Sequence, residues 1–273
     1  MITRFAPSPT GLLHPGHAFS ALSAWQRFRG SADAEKRFLL RIEDIDFNRC
    51  RADYERMVIE DLQWLGLEWE SPIRRQSEHL ADFQQVADDL KGRGFLYPCF
   101  CTRKDILREI ERAGGAPHGS EGPVYPGTCR ELSADEASAR IEAGETFALR
   151  IDLEKSLGEI GTEITWQDEA AGDAVLVRKD IGTSYHLAVV CDDAWQGVTH
   201  ITRGLDLFES THLHRVLQEL LGFPEPLYFH HELIRDDSGK RLAKRDESET
   251  LRSWREAGVS VDEVKKRLGF EGL

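Results

Sequence analysis

The way the chain opens limits its folds more than any other feature. Ile2 to Phe5 is a short apolar strand that runs into the turn Ala6-Pro7-Ser8-Pro9-Thr10-Gly11. From about Gly16 to Arg29, the residues Phe19, Leu22, Trp25 and Phe28 recur every three positions, as on one face of a helix. Phe38 to Ile42 (FLLRI) is an apolar run short enough for a buried strand. Two amphipathic helices follow, about Asp53 to Leu65 and Ser77 to Leu90, closed by Gly66 and Gly92. Strands alternating with helices at these lengths predict an α/β fold with a parallel sheet.

The texture changes near Tyr97. Three cysteines (Cys99, Cys101, Cys129) fall around the run AGGAPHGSEGPVYPG, in which 8 of 15 residues are Gly or Pro. So dense a breaker run marks an inserted module and not a continuation of the sheet. Strand-like runs return at Phe147–Leu153, Ala174–Val177 and Tyr185–Val190, and Val198 to Leu221 reads as strand, loop, helix. Two short helices are expected at the end, the second opened by Ser260 with Glu263 three residues on.

Composition narrows the function. With 273 residues, 40% of them apolar, the chain buries a real core, which excludes a disordered tail, a disulfide-stapled miniprotein and a lone small binding module. Asp and Glu outnumber Lys and Arg by 48 to 35, for a net charge of −13. That argues against a general nucleic-acid coat or an anionic membrane surface, though not against a local basic strip. No stretch approaches the length of a membrane helix, and MITRFAPSPTG does not read as a signal peptide, so a cytoplasmic protein is expected. In a reducing compartment five cysteines suit metal binding or burial better than disulfides, and Cys50 and Cys191 are expected to be packing residues.

The chemistry concentrates in Arg4 to His17. A strand that ends in a small-residue turn and enters a helix offers free N–H groups to a phosphate. His14 and His17 are three apart and can face one ligand, Pro15 suits the first helical turn, and Gly16 lets a flat ring approach the backbone. Taken alone, H-x-G-H is a proline-rich turn with two surface histidines; the whole segment points to a ligand. Near the other end, Arg241-Leu242-Ala243-Lys244-Arg245 taken alone is a basic surface turn.

Together these segments carry a resemblance. RFAPSPTG followed by LHPGH resembles the first signature of the class I glutamyl-tRNA synthetases, and the likeness continues in order through LRIEDIDFNR (40–49), YPCFCTR (97–103), TSYHLAVVCDD (183–193), VTHITRGLDL (198–207) and GKRLAKR (239–245). It implies a Rossmann-like class I aminoacyl-tRNA synthetase catalytic domain formed by 1–96 plus 180–235. It further implies an inserted zinc- and RNA-binding α/β subdomain at 97–179, and a mobile signature loop with C-terminal helices at 236–273. Arg4, Ala6, Ser8, Glu43, Tyr185 and Arg203 would bind glutamate: Arg4, Arg203 and Tyr185 at the side-chain carboxylate, Glu43 and Ser8 at the ammonium. Pro7, His14, Gly16, His17, Arg241 and Lys244 would bind ATP with its Mg²⁺, and His14, His17 and Lys244 would serve catalysis. Against the family's KMSKS, Arg241 keeps a charge and Ala243 loses a hydroxyl. Leu205 stands where many relatives have an acidic residue and is assigned nothing. Asp44 and Asp46 are read as exposed strand-end carboxylates.

Cys99, Cys101 and Cys129 lack a fourth ligand for one structural zinc. The resemblance nominates Tyr125, and general zinc chemistry His118 in the same loop. Only 28 residues follow Arg245, too few for the anticodon-reading domain of a full-length glutamyl-tRNA synthetase. A retained catalytic unit without that domain resembles the stand-alone glutamyl-queuosine tRNA(Asp) synthetases. These activate L-glutamate with ATP and esterify it to queuosine at the wobble position of tRNA(Asp), here by a monomer gripping the anticodon stem-loop. Arg103, Lys104, Arg108 and Arg112, with Lys240, Arg241, Lys244 and Arg245, are the candidate cationic track. A truncated glutamyl-tRNA synthetase and a non-catalytic tRNA-binding paralogue are the alternatives.

Overall fold

The computed structural model describes residues 1–112, 118–119, 122–161, 172–234 and 249–273, side chains of 108–112, 118–119 and 122–123 excepted. The chain begins β1 (Ile2–Phe5), α1 (Pro15–Gly30), β2 (Arg37–Ile42), α2 (Ala52–Trp64), β3 (Glu70–Arg75), α3 (Leu80–Gly92), β4 (Leu96–Cys99) and α4 (Arg103–Arg112). It continues with β5 (His118–Gly119), β6 (Gly122–Pro123), α5 (Ala134–Glu142), β7 (Ala148–Ile151), α6 (Leu153–Ile160), β8 (Val175–Val177) and α7 (Tyr185–Trp195). It closes with β9 (His200–Gly204), α8 (Ser210–Leu221), β10 (Leu227–His231), α9 (Leu251–Glu256) and α10 (Val261–Arg267). Two compact units result, one of residues 1–78, 196–207 and 226–273, the other of 79–195 and 208–225.

The first unit is the expected α/β layer. Its five strands are all parallel, in the order β10-β9-β1-β2-β3. Alternation along the strands divides the sheet into two unlike faces. One carries Phe5, Phe38, Leu40 and Ile42, which pack with Ala18, Ala21 and Leu22 of α1, Val58 and Leu62 of α2, and Leu251 and Val264 of the C-terminal helices. Alanines on α1 let the helix lie close to the sheet, and truncating Leu22 there would cost about 2–5 kcal/mol. The other face carries Arg4, Arg41 and Arg203, all at most 5% exposed.

The order of the strands also sets where a ligand can go. From β1 the chain runs outward through β2 to β3, whereas β9 and β10 build on β1's opposite side. The sheet therefore changes direction between β1 and β9, and open parallel sheets bind their ligands outside the carboxyl ends of the strands at such a switch point. At one margin β3 (ESPIRR) is a largely exposed edge strand whose Pro72 removes a backbone donor.

The second unit joins β4, β7 and β8 in an antiparallel sheet, with β5 and β6 as a separate short pair. One expectation fails here: Tyr185–Val190 is not a strand but the start of helix α7. Every residue from His186 to Asp193 is buried, so no polar face exposes the helical period, and a short apolar run alone does not tell strand from helix. Ser184, whose Oγ accepts from Leu187 N at 3.4 Å, is the missed start signal. The helix expected from Ser77 starts at Leu80, after a single 3₁₀ turn over Gln76–His79.

Candidate active site and metal centre

The turn after β1 is held by backbone bonds from two segments. Pro7 O accepts from Glu43 N at 3.0 Å and Pro9 O from Arg51 N at 3.1 Å, so the Ala6–Thr10 turn lies against the end of β2. α1 then opens on a reciprocal cap. His14 Nδ1 accepts from Gly16 N at 3.1 Å, and His17 Nδ1 accepts from His14 N at 3.2 Å. The two rings lie 3.8 Å apart, centroid to centroid. Because each Nδ1 is an acceptor, the proton of each neutral ring sits on Nε2. Gly16 has a sharper reason than close approach by a ligand: a Cβ there would sit 2.9 Å from His14 Cε1 and 3.1 Å from its Nδ1.

Glu43 is 8% exposed, and its Oε1 accepts from Arg41 Nη2 at 3.1 Å. Arg41, fully buried, also donates through Nη1 to Gln196 Oε1 at 3.2 Å. Arg41 is not among the expected site residues; a lone cation inside FLLRI is its signal in the sequence, because a buried strand keeps a charge only for a partner. Asp44 and Asp46 are not the exposed carboxylates expected. Asp44 accepts from Ser77 N at 2.8 Å and Ser77 Oγ at 2.6 Å, and Asp46 accepts from Arg49 Nε at 2.9 Å. Turn geometry gives each a donor.

Arg203 stands on β9 with its guanidinium 5.0 Å from the Tyr228 ring, and its Nε donates to His230 Nε2 at 3.2 Å. His230, also missed, is thus a neutral acceptor. Burial first, then the Arg203 charge, hold it down to about 4 from 6.5. Between those values an unfolded chain binds a proton that the native chain refuses, so stability falls as pH drops through that window. His230→Gln, which keeps an acceptor, should lose less stability than wild type between pH 7.5 and 5 in urea midpoints. Equal losses would mean that His230 is not the group responsible.

Tyr185 opens α7 in the second unit, half-buried, its ring 5.4 Å from that of His186. Also in this unit, the Sγ atoms of Cys99, Cys101 and Cys129 lie within 4.8 Å of one another. Tyr125 Oη is 3.5 Å from Cys99 Sγ and 3.7 Å from Cys101 Sγ, and accepts from Cys129 N at 2.8 Å. The Arg150 guanidinium covers the Tyr125 ring at 3.9 Å. Three thiols and a phenol oxygen gathered this closely can hold a metal ion. Burial pushes the Cys101 thiol up to about 12, and a divalent cation would favour the thiolate instead. The His118 side chain lies outside what is described, as do Arg108 and Arg112 of the candidate track, while Arg103 and Lys104 are exposed. Arg241 and Lys244, with the whole GKRLAKR segment, also lie outside the described residues. Cys191 is fully buried, and Cys50, half-buried, donates to Glu43 O at 3.9 Å. Among the described residues no helix is long and apolar enough to cross a membrane.

Residues 1–263 match the family of tRNA synthetases class I (E and Q), catalytic domain. A glutamyl-Q tRNA(Asp) synthetase of Rhodobacter capsulatus is 47% identical over 99% of this chain and 100% of its own length. The chain belongs to this class I family, among its glutamyl-Q tRNA(Asp) synthetases. The glutamyl-Q tRNA(Asp) synthetase of Nocardia farcinica is 41% identical over 96% of this chain and 81% of its own. The crystal structure of glutamate-tRNA synthetase from Elizabethkingia anophelis superposes with a TM-score of 0.74 at 26% identity, covering 90% of this chain but only 53% of that one. The chain thus spans about half the length of that solved relative.

Proposed function

We propose that this chain activates L-glutamate with ATP to glutamyl-adenylate and transfers the glutamyl group to queuosine at the wobble position of tRNA(Asp). The observation that carries the reading is the pair of buried arginines, Arg4 and Arg203, on one face of neighbouring strands at the sheet's switch point. Buried guanidinium groups suit a dicarboxylate, which they can bind through paired, charge-assisted bonds. Arg4, Arg203 and Tyr185 take the side-chain carboxylate. Glu43, oriented by Arg41, takes the ammonium with Ser8, and Ala6 borders the same ligand.

Pro7, Gly16 and the Nε2–H groups of His14 and His17 receive ATP at the start of α1, where a helix N-terminus favours phosphate. The α-carboxylate of glutamate attacks the α-phosphate in line and pyrophosphate leaves. Lys244, with Arg241, stabilises charge on the phosphate, as Mg²⁺ bound to ATP also would. Neither histidine acts as base, because a carboxylate is already a nucleophile. A hydroxyl of the RNA then attacks the mixed anhydride, releasing AMP. The segment 97–179 faces the RNA.

Glutamate-dependent ATP–pyrophosphate exchange, with aspartate and glutamine as controls, tests the first step. Exchange with glutamate alone is expected, and none with or without tRNA would overturn the activity. Labelled glutamate should then appear on the anticodon nucleoside. Label on the 3′ terminus would instead make this a short glutamyl-tRNA synthetase.

Cys99, Cys101, Cys129 and Tyr125 would hold one zinc, which supplies a structural crosslink there. Purified protein should contain about one zinc per chain. Cys101→Ser should lose it, and Tyr125→Phe should weaken it against a competing chelator. If Tyr125→Phe binds as tightly as wild type and His118→Ala does not, the fourth ligand is His118.

A further inference from the structure

Tyr125 lies between β6 and α5, in neither a helix nor a strand, so no regular element sets the direction of its long side chain. Its oxygen is nevertheless well placed for a metal. A tetrahedral zinc bonded to sulfur at about 2.3 Å and to oxygen at about 2.0 Å holds those atoms about 3.5 Å apart. Tyr125 Oη stands 3.5 Å from Cys99 Sγ and 3.7 Å from Cys101 Sγ. Arg150 is the group that covers the ring. It belongs to β7, the middle strand between β4 and β8, and its guanidinium lies 3.9 Å from the ring centroid. A planar guanidinium on an aromatic face is an attractive contact as well as a steric one.

Arg150 is fixed in turn. Its Nη1 donates to Asp173 O at 2.6 Å. The Asp173 carboxylate, 5% exposed, accepts from Tyr97 Oη at 2.6 Å, Leu153 N at 3.0 Å and Arg130 Nη1 at 3.4 Å. Beside it, Gly172 leaves no room for a side chain: a Cβ there would sit 2.6 Å from Val124 Cγ1 and 3.4 Å from Tyr125 N. Residues 172–173 therefore lie directly against the stretch that carries Tyr125.

We infer that Arg150 is a positioning residue of the metal centre: held by Asp173, it fixes the Tyr125 ring so that Oη completes the set formed by Cys99, Cys101 and Cys129. The inference rests on the proposed zinc reading and deepens it. Groups that orient metal ligands without touching the metal commonly matter 10–100-fold in affinity. Arg150 acts here through the ring alone, so its effect should exist only while that ring carries an oxygen.

The test is a cycle of wild type, Arg150→Met, Tyr125→Phe and the double variant. Each is loaded with Co²⁺, whose visible spectrum reports the ligand set, and its affinity is read by competition with a chelator. Arg150→Met should bind about tenfold more weakly than wild type or worse, with a spectrum moved toward that of Tyr125→Phe. In the Tyr125→Phe background the same change should add less than about twofold, the usual error of independent effects. Equal losses in both backgrounds would overturn the proposal, because a residue that merely supports the sheet or the local charge acts whether or not the phenol oxygen is there. Wild-type affinity and spectrum in Arg150→Met would also overturn it. Wild-type protein that binds no Co²⁺ would be a different failure, that of the zinc reading itself, and would take this inference with it. Arg150→Lys, which keeps a cation within reach of Asp173 O but no flat cover for the ring, replaces Arg150→Met in the cycle should that variant not fold, with the same outcomes.

Discussion

Arg203→Gln should lower kcat/KM for glutamate about 10³-fold in pyrophosphate exchange while leaving the value for glutamine nearly unchanged. Truncating one partner of a buried, hydrogen-bonded charge pair costs about 2–5 kcal/mol, because the partner charge keeps its desolvation penalty and loses its counterion. Arg203 meets that description on the protein side: it is 5% exposed, fixed by its Nε bond to His230 and lying near the Tyr228 ring. His230 is held neutral and does not compete with the ligand as a second cation. Glutamine carries no side-chain charge, so discrimination between the two amino acids should collapse chiefly through glutamate. A threefold change or less, in a variant whose melting curve matches wild type, would remove Arg203 from the glutamate site.

Gly16→Ala should slow activation about 10²-fold with glutamate affinity nearly intact. By propensity the change favours the helix by up to about 1 kcal/mol, which roughly offsets a weakened His14 cap, so little net change in stability is expected. The damage is local. The new Cβ would press on the His14 ring at 2.9 Å, and that ring caps the helix and, in the proposed reaction, offers Nε2–H to the phosphates. Misplacing a positioning group by about 1 Å can cost 10²-fold. Single-turnover adenylate formation, read beside glutamate binding by calorimetry, separates the two steps. Wild-type rates in Gly16→Ala would show that the position of His14 does not matter to the chemistry.

What could be read from the sequence was what local signals carry. β1, the turn after it, α1 and β2 were legible because each combines a clear period with turn and cap residues. The cysteine cluster was legible from spacing, and the structure adds Tyr125 Oη in contact with two of its sulfurs. α7 was misread because its surroundings bury every side from His186 to Asp193. β3 was not read at all: ESPIRR has little apolar alternation, as suits an exposed edge. Arg41 and His230 differ in what the sequence offers: Arg41 pairs with Glu43 two residues on and is signalled by a lone cation inside FLLRI, whereas His230 matters through Arg203 on another strand, a pairing that no local pattern reports.

The order β10-β9-β1-β2-β3 also has a consequence during synthesis. β1, β2 and β3 leave the ribosome early and can pair at once, but the other side of β1 waits for β9, with Thr3 opposite His200. At ordinary elongation rates that wait is roughly 10 s, far longer than hydrophobic collapse takes. Through that interval the middle strand of the finished sheet is an open edge, able to pair with another nascent chain. The far margin at β3 is guarded by Pro72 and flanking charges, but β1 carries no such guard, because in the folded molecule it needs none. The strand arrangement that puts the switch point between β1 and β9 therefore leaves the newborn chain half-paired at its centre for seconds.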